Sequence, residues 1–183
     1  MNLLLQLDAV ACRRGGRLLF ERLSLSLEAG EAALVTGPNG AGKSSLLRLA
    51  AGLLRPAAGK VDRAETALAD EHPALDERQR LGDALAFWVD DPRPGIEAMG
   101  LSHLVEVPVR LLSAGQRKRA ALARVIAGAA PLWLLDEPGN GLDADGLDRL
   151  RAAMAGHRAN GGAILAASHQ PLGLEGARPV VLG

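Results

Sequence analysis

Residues Gly37-Pro38-Asn39-Gly40-Ala41-Gly42-Lys43-Ser44-Ser45 have the types and spacing of a loop that wraps a phosphate chain. Glycine at 37, 40 and 42 lets the backbone turn without Cβ clashes, so that successive N–H groups converge on an anion. Lys43 is then placed to reach the β- and γ-phosphates of a nucleotide, and the Ser44 hydroxyl to ligate Mg²⁺. A chance glycine-rich turn is the competing reading. The flanks disfavour it: Ala32 to Val35 reads as a short buried strand, and Leu46, Leu47, Leu49 and Ala50 as a helix whose positive N-terminus faces the anion.

A second group of residues could supply hydrolysis. The hydrophobic run Pro131 to Leu135 ends in Asp136 and Glu137. Beside a phosphate loop, Asp136 can hold Mg²⁺ through water while Glu137 orients and polarises an attacking water. In isolation such a pair more simply caps the next segment, and the complete phosphate loop is what turns the reading. His169 follows Ser168 at the end of another apolar run, 162–167, one strand after Glu137. A strand-end histidine is often merely solvated, yet from there it could hydrogen-bond the γ-phosphate and the water. Ser113 opens a helix over Gln116 to about Ala127, whose N-terminus again offers free N–H groups to an anion.

Positioning these groups together calls for a particular framework. Strands alternating with helices imply a largely parallel sheet, and ligands collect beyond the carboxyl ends of its strands, where the phosphate loop, Asp136, Glu137 and His169 all fall. Leu3, Leu5, Leu7 and Ala9 alternate as an early strand, and residues 23–28 as a second, antiparallel one. The helix after the phosphate loop should end at Gly52, with a short strand at Lys60 and Val61; residues 64–73 give no clear pattern. Leu81, Ala84, Leu85 and Trp88 recur at helical spacing, which predicts an amphipathic helix over 76–89 with Asp76 as its N-cap. A short helix around Ile96 to Met99 and the stretch 101–112 complete a small helical sub-lobe, about residues 73–112, inserted in the nucleotide-binding core. Residues 143–157 are helical, with Leu147, Leu150, Ala153 and Met154 on one face. The expected fold class is α/β: a phosphate-loop NTPase in one domain over residues 1–183, with a mostly parallel sheet, an antiparallel β edge and the helical sub-lobe.

Composition narrows the function. In 183 residues, 48% are hydrophobic and only 2% aromatic, with no Tyr, so the core must be aliphatic and few side chains are available to stack on a ligand. Lys+Arg and Asp+Glu both number 21, which argues against a polyanion-binding surface, and no nucleic acid partner is expected. The single cysteine, Cys12, excludes an internal disulfide and reads as a small buried apolar residue. The longest charge-free apolar run, Val125 to Leu135, is too short to span a bilayer and contains Gly128 and Pro131. With no basic leader before Gln6 and Asp8, the chain is expected to be soluble, reaching a membrane only through a partner.

Taken together, the phosphate loop, the Asp136–Glu137 strand end and the segment Leu112-Ser113-Ala114-Gly115-Gln116 resemble the ATP-binding cassette (ABC) ATPases over nearly the whole chain. The last segment looks like that family's signature motif. The resemblance implies ATP and Mg²⁺ as cofactors and a head-to-tail, ATP-sandwiched dimer with a second copy, in which Ser113, Gly115 and Gln116 reach the partner's γ-phosphate. It also implies that Gly139 to Asp143 forms the loop after the second carboxylate and that His169 is the switch histidine. Arg117, Lys118 and Arg119 are expected on a solvated helix face. Within the family the chain looks most like the ATP-binding subunits of the haem exporter of cytochrome c maturation, on Leu18-Leu19-Phe20, Ala121-Leu122-Ala123-Arg124 and Ser168-His169-Gln170-Pro171-Leu172. That likeness implies CcmB-like and CcmC-like integral membrane permease partners and a peripheral place on the cytoplasmic side of the inner membrane. The alternative is a soluble ABC-type ATPase that remodels a macromolecular complex. Such proteins usually need a coiled-coil insertion or second cassette, for which this chain has little room. Two positions depart from the family pattern. Arg14 stands where the family often stacks an aromatic on adenine, and is either a guanidinium platform or solvent-exposed. His72, between Glu71 and Pro73, stands where the family has a coupling glutamine.

Overall fold

The computed structural model describes residues 2–70 and 74–183; His72, with its neighbours Glu71 and Pro73, lies outside the described residues. The chain opens with two long strands, β1 (Leu3–Arg14) and β2 (Arg17–Glu28), joined at Gly15 and Gly16, which both take positive φ, 54° and 77°. A two-residue turn with both φ positive matches the right-handed twist of the strands it connects, and two glycines adopt it without Cβ strain. β3 (Ala32–Thr36) leads into the phosphate loop and α1 (Lys43–Ala50); β4 (Ala58–Arg63) and β5 (Thr66–Ala69) follow. β4 pairs antiparallel with β1, giving a three-stranded sheet in the order β2-β1-β4. The expected antiparallel strands are therefore longer than their alternation suggested and form a sheet of their own.

Next come α2 (Leu81–Ala86), α3 (Arg93–Ala98), single 3-10 turns at 102–104 and 109–111, and α4 (Ala114–Ala127). β6 (Leu132–Asp136), α5 (Ala144–Ala159), β7 (Ala163–Ala167) and β8 (Arg178–Val181) complete the chain. A five-stranded, all-parallel sheet runs β5-β6-β7-β3-β8. Its central strands β6 and β7 are buried on both faces, and the alternation of side chains along the sheet splits the core in two. Leu132, Leu134, Ala33, Val35, Ala163 and Leu165 join α1 and the antiparallel sheet in one cluster. Trp133, Leu135, Ile164 and Ala166 join Leu122, Val125, Leu150 and Met154 of α4 and α5 in the other. Cys12 is buried in the first, as expected, and burial pushes its thiol above the ordinary range. Among the described residues no helix is long and apolar enough to cross a membrane.

Two expectations need correction. Instead of a helix from Asp76 to Val89, the chain makes a turn in which the Asp76 carboxylate accepts from the Arg78 N–H, and α2 starts at Leu81 with Arg80 extended before it. The backbone of this stretch is spent on the facing segment: Leu81 and Gly82 N–H groups donate to Val107 and Val105 carbonyls, while Val109 and Arg110 donate to Gln79 and Glu77. A residue bonded across the chain cannot also close a helical turn. The next helix begins at Arg93 and not near Ile96, with Pro94 in its first turn, where a missing N–H costs nothing.

Candidate active site

The phosphate loop joins the carboxyl end of β3 to α1. At the start of α1, Gly42 has φ 106° and no side-chain cap, and an added Cβ would come within 3.1 Å of Phe20 Cδ1 and 3.2 Å of Leu19 Cβ. The first N–H groups of α1 thus stay uncapped by any side chain and point toward the loop, a ready anion cradle. Lys43, 8% exposed, turns its ammonium back onto the loop, donating to Gly37 O at 2.8 Å and Pro38 O at 3.2 Å. Ser44, next to it, is exposed.

Asp136 ends β6 on the same strand face as Leu132 and Leu134, which pack toward α1, and it is buried. Glu137 lies one residue past the strand with φ 44°, an uncommon region for a side chain of its size. Its N–H donates to Ala167 O at 2.9 Å, which fixes the turn against the end of β7. Its Oε2 accepts from the His169 N–H at 3.3 Å, and its Oε1 is buried without a hydrogen bond, 3.6 Å from His169 Nε2. A buried, unsatisfied carboxylate oxygen at a strained backbone position has strong acceptor capacity held ready for a further donor, such as a water.

These residues border one cleft of about 650 Å³: Asn39, Gly40, Gly42, Lys43, Ser44, Ser45, Asp136, Glu137 and His169, joined by Arg14, Leu19, Arg48 and Asn140. Sequence reasoning had not singled out Arg48, and reached Asn140 only within the stretch Gly139 to Asp143. Arg48 falls four residues after Ser44 and so shares its helix face, a signal available from spacing alone.

Ser113, Gly115 and Gln116 are not brought into that cleft. They border a separate cavity of about 330 Å³ with Gly100, His103, Arg119, Gly141 and Asp143. Here the N-terminus of α4 is closed by a capping box: Ser113 Oγ accepts from the Gln116 N–H at 3.2 Å, and the Gln116 side chain accepts from the Ser113 N–H at 2.8 Å. The loop from Gly139 to Asp143 runs between the two cavities, with Asn140 lining the first and Gly141 the second.

Arg119 overturns the expectation of a solvated face. Its side chain is only 13% exposed, and it pairs with Asp143, with Asp145 at 2.9 Å and with the Met99 carbonyl at 3.3 Å. It thereby ties α4 to the start of α5 and to the end of α3. Asp143 also caps α5, accepting from the Gly146 N–H, and that bond followed by the Arg119 guanidinium holds its carboxyl below the ordinary range.

Residues 20–140 match the family model described as ABC transporter. The cytochrome c biogenesis ATP-binding export protein CcmA of Sphingopyxis alaskensis is 56% identical, with 100% of this chain and 98% of that protein covered. CcmA of Novosphingobium aromaticivorans is likewise 56% identical, over 94% of this chain and 92% of that protein. Among solved structures, the ATP-binding subunit of an ABC transporter superposes with a TM-score of 0.88 at 22% identity, covering 98% of this chain and 85% of that one.

Proposed function

This chain belongs to the ABC transporter family, and from that premise we propose that it is the ATP-hydrolysing motor subunit of an ABC exporter, the haem exporter of cytochrome c biogenesis. One observation carries the hydrolytic reading: Lys43, Ser44, Asp136, Glu137 and His169 border the same cleft. In this reading the loop N–H groups and Lys43 bind the β- and γ-phosphates of ATP, Lys43 exchanging its contacts with Gly37 and Pro38 for phosphate oxygens. Glu137 holds the attacking water with its free Oε1, and His169 steadies both the water and the γ-phosphate.

Ser44 and Asp136 are the residues that would hold Mg²⁺, which when bound neutralises phosphate charge. The donor set fits: the Ser44 hydroxyl and the Asp136 carboxylate, both hard oxygen donors, border the same cleft as Lys43. A few protein oxygens completed by phosphate and water are what Mg²⁺ favours. Ser113, Gly115 and Gln116 belong to the partner copy's reaction, which agrees with their separation from this copy's phosphate cleft.

The names of the relatives, cytochrome c biogenesis ATP-binding export proteins, support the exporter branch. In this reading the partners are CcmB-like and CcmC-like permeases, and the chain sits peripherally on the cytoplasmic face of the membrane. Glu137→Gln should retain ATP binding and lower turnover by about a hundredfold or more, because the base that polarises water is gone; undiminished turnover would refute the assigned role. Affinity capture of the chain from solubilised membranes should bring down CcmB-like and CcmC-like proteins, and capture of a permease of another class would overturn the branch.

A further inference from the structure

At Arg48 the wall of the nucleotide cleft leads away from the cleft. Arg48 stands on α1 one turn beyond Ser44, borders the cleft, and reaches the Asp70 carboxylate at 3.5 Å, a long contact between two partly exposed side chains. Asp70 directly follows β5, the edge strand of the parallel sheet. Arg124 of α4 comes to the same strand end, its Nη2 donating to the Leu68 carbonyl at 2.6 Å. Burial holds the pKa of Arg124 below the ordinary arginine value, and the Asp70 charge opposes that shift. One carboxylate therefore acts on two guanidinium groups, one at the nucleotide cleft and one on α4.

The Arg124 guanidinium also lies over the Trp88 ring, 4.9 Å from its centroid, and its Nε is buried with no hydrogen-bond partner among the described residues. A buried cation this short of donor contacts is sensitive to the charge beside it. Trp88 is held at its edge by its indole N–H, which donates to the Ala74 carbonyl at 2.9 Å. Ala74 has φ 51°, a region that a residue with a Cβ seldom adopts. Trp88 in turn meets Phe87 edge to face, and this aromatic pair is exposed on the helical sub-lobe. Interactions thus run from the cleft to the pair in three steps: Arg48 to Asp70, Asp70 to Arg124, and Arg124 to Trp88.

Resting on the ATPase reading above, we propose that Asp70 is a coupling residue, its carboxylate shared between Arg48 and Arg124 so that a triphosphate in the cleft repositions Trp88. The phosphates carry several negative charges and outcompete a single carboxylate for Arg48. Asp70 then acts on Arg124 alone and draws its guanidinium off the indole face. Without that cation on its face, and with the strained Ala74 at its edge, the Trp88 ring reorients and moves Phe87 with it. A carboxylate with two discrete pairings is a two-state element, and it lets a charge in the cleft move a side chain outside it.

Trp88 reports the change directly, because Trp133 is buried in the core, out of reach of a collisional quencher. The full chain is titrated with Mg²⁺ and the non-hydrolysable ATP analogue AMPPNP, with binding followed by calorimetry and Trp88 by its emission and its quenching by acrylamide. In wild type, saturation should shift the emission and raise the quenching, and both changes should vanish in Trp88→Phe. Asp70→Asn should bind AMPPNP with near-wild-type affinity yet lose the optical response, and Asp70→Glu, which keeps the charge, should restore it. Binding with no change at Trp88, a response that survives Trp88→Phe, or a full response in Asp70→Asn would each overturn the coupling. Loss of AMPPNP binding in Asp70→Asn would overturn it as well, since Asp70 would then serve the cleft itself. Failure of wild type to bind AMPPNP would instead sink the ATPase reading on which the coupling rests.

Discussion

Helices α1 and α4 each begin with their N-terminus at a cavity, and they are built in opposite ways. α1 starts at Gly42 with no side-chain cap, and its loop is held by the Lys43 ammonium on two carbonyls and by the Ala41 N–H on the Pro38 carbonyl. α4 starts at Ser113 with both members of a capping box in place, and Arg119 clamps its first turns to Asp143 and Asp145. An uncapped N-terminus keeps its donors for a ligand, while a capped one spends them within the chain. The phosphate side is thus built to be completed by an anion. The signature side is built to be rigid when alone, and offers an already formed surface to whatever approaches it.

The largest effects should come from breaking one side in each of two subunits. Lys43→Ala removes the cation at the phosphates, and Ser113→Arg fills the signature; each should lower ATPase activity by about a hundredfold or more. If the two sides serve one reaction across a two-fold dimer, mixing the variants leaves roughly a quarter of the sites whole, so activity should recover to that level at most. Activity that stays at background after demonstrated subunit exchange would show that each chain completes its own site.

Stability separates the two helices on a smaller scale. Gly42→Ala forces an alanine to φ 106° and against Leu19 and Phe20, and should destabilise the fold by about 1–3 kcal/mol. Ser113→Ala removes one cap and should cost about 1 kcal/mol. Urea denaturation without nucleotide measures both, and a larger loss at Ser113 would reverse the contrast.

The smallest effect concerns acid. The Asp145 carboxyl is held low chiefly by Arg149 and then by Arg119, and that of Asp143 chiefly by the Gly146 N–H and then by Arg119. Since both pKa values are lower in the folded chain, the stability they contribute is full above the ordinary carboxyl value of 3.8 and is lost as pH falls below it. Arg119→Met should therefore be less stable than wild type at pH 7, with the gap closing toward pH 2 in thermal melts. A gap that stayed constant with pH would mean that the packing of Arg119, and not its charge, ties the helices.

The signs of function were legible because they are local. Phosphate-loop spacing, the run ending in Asp136 and Glu137, and Ser113 three residues before Gln116 each act over a single turn or strand end, where residue type and spacing dictate geometry. Elements whose backbone partners lie far along the chain were not legible in the same way. β5 (Thr66–Ala69) is a strand because Leu132 to Leu135 pairs with it, and β8 carries Pro179 yet pairs with β3 at the sheet edge, where a missing donor is tolerated. The helical spacing of Leu81, Ala84, Leu85 and Trp88 predicted a helix over 76–89, but bonds between 77–82 and 105–110 took the first of its turns.

By itself, then, the sequence determined the chemistry available and the α/β framework, since both rest on short-range spacing and periodicity. Only the tertiary structure decided which groups share a cavity. It gathered Lys43, Ser44, Asp136, Glu137 and His169 into one cleft and kept Ser113, Gly115 and Gln116 in another. It also turned Arg119 from an expected surface charge into a clamp between helices. Those outcomes depend on strand order and on contacts between distant segments, which no local pattern of residues encodes.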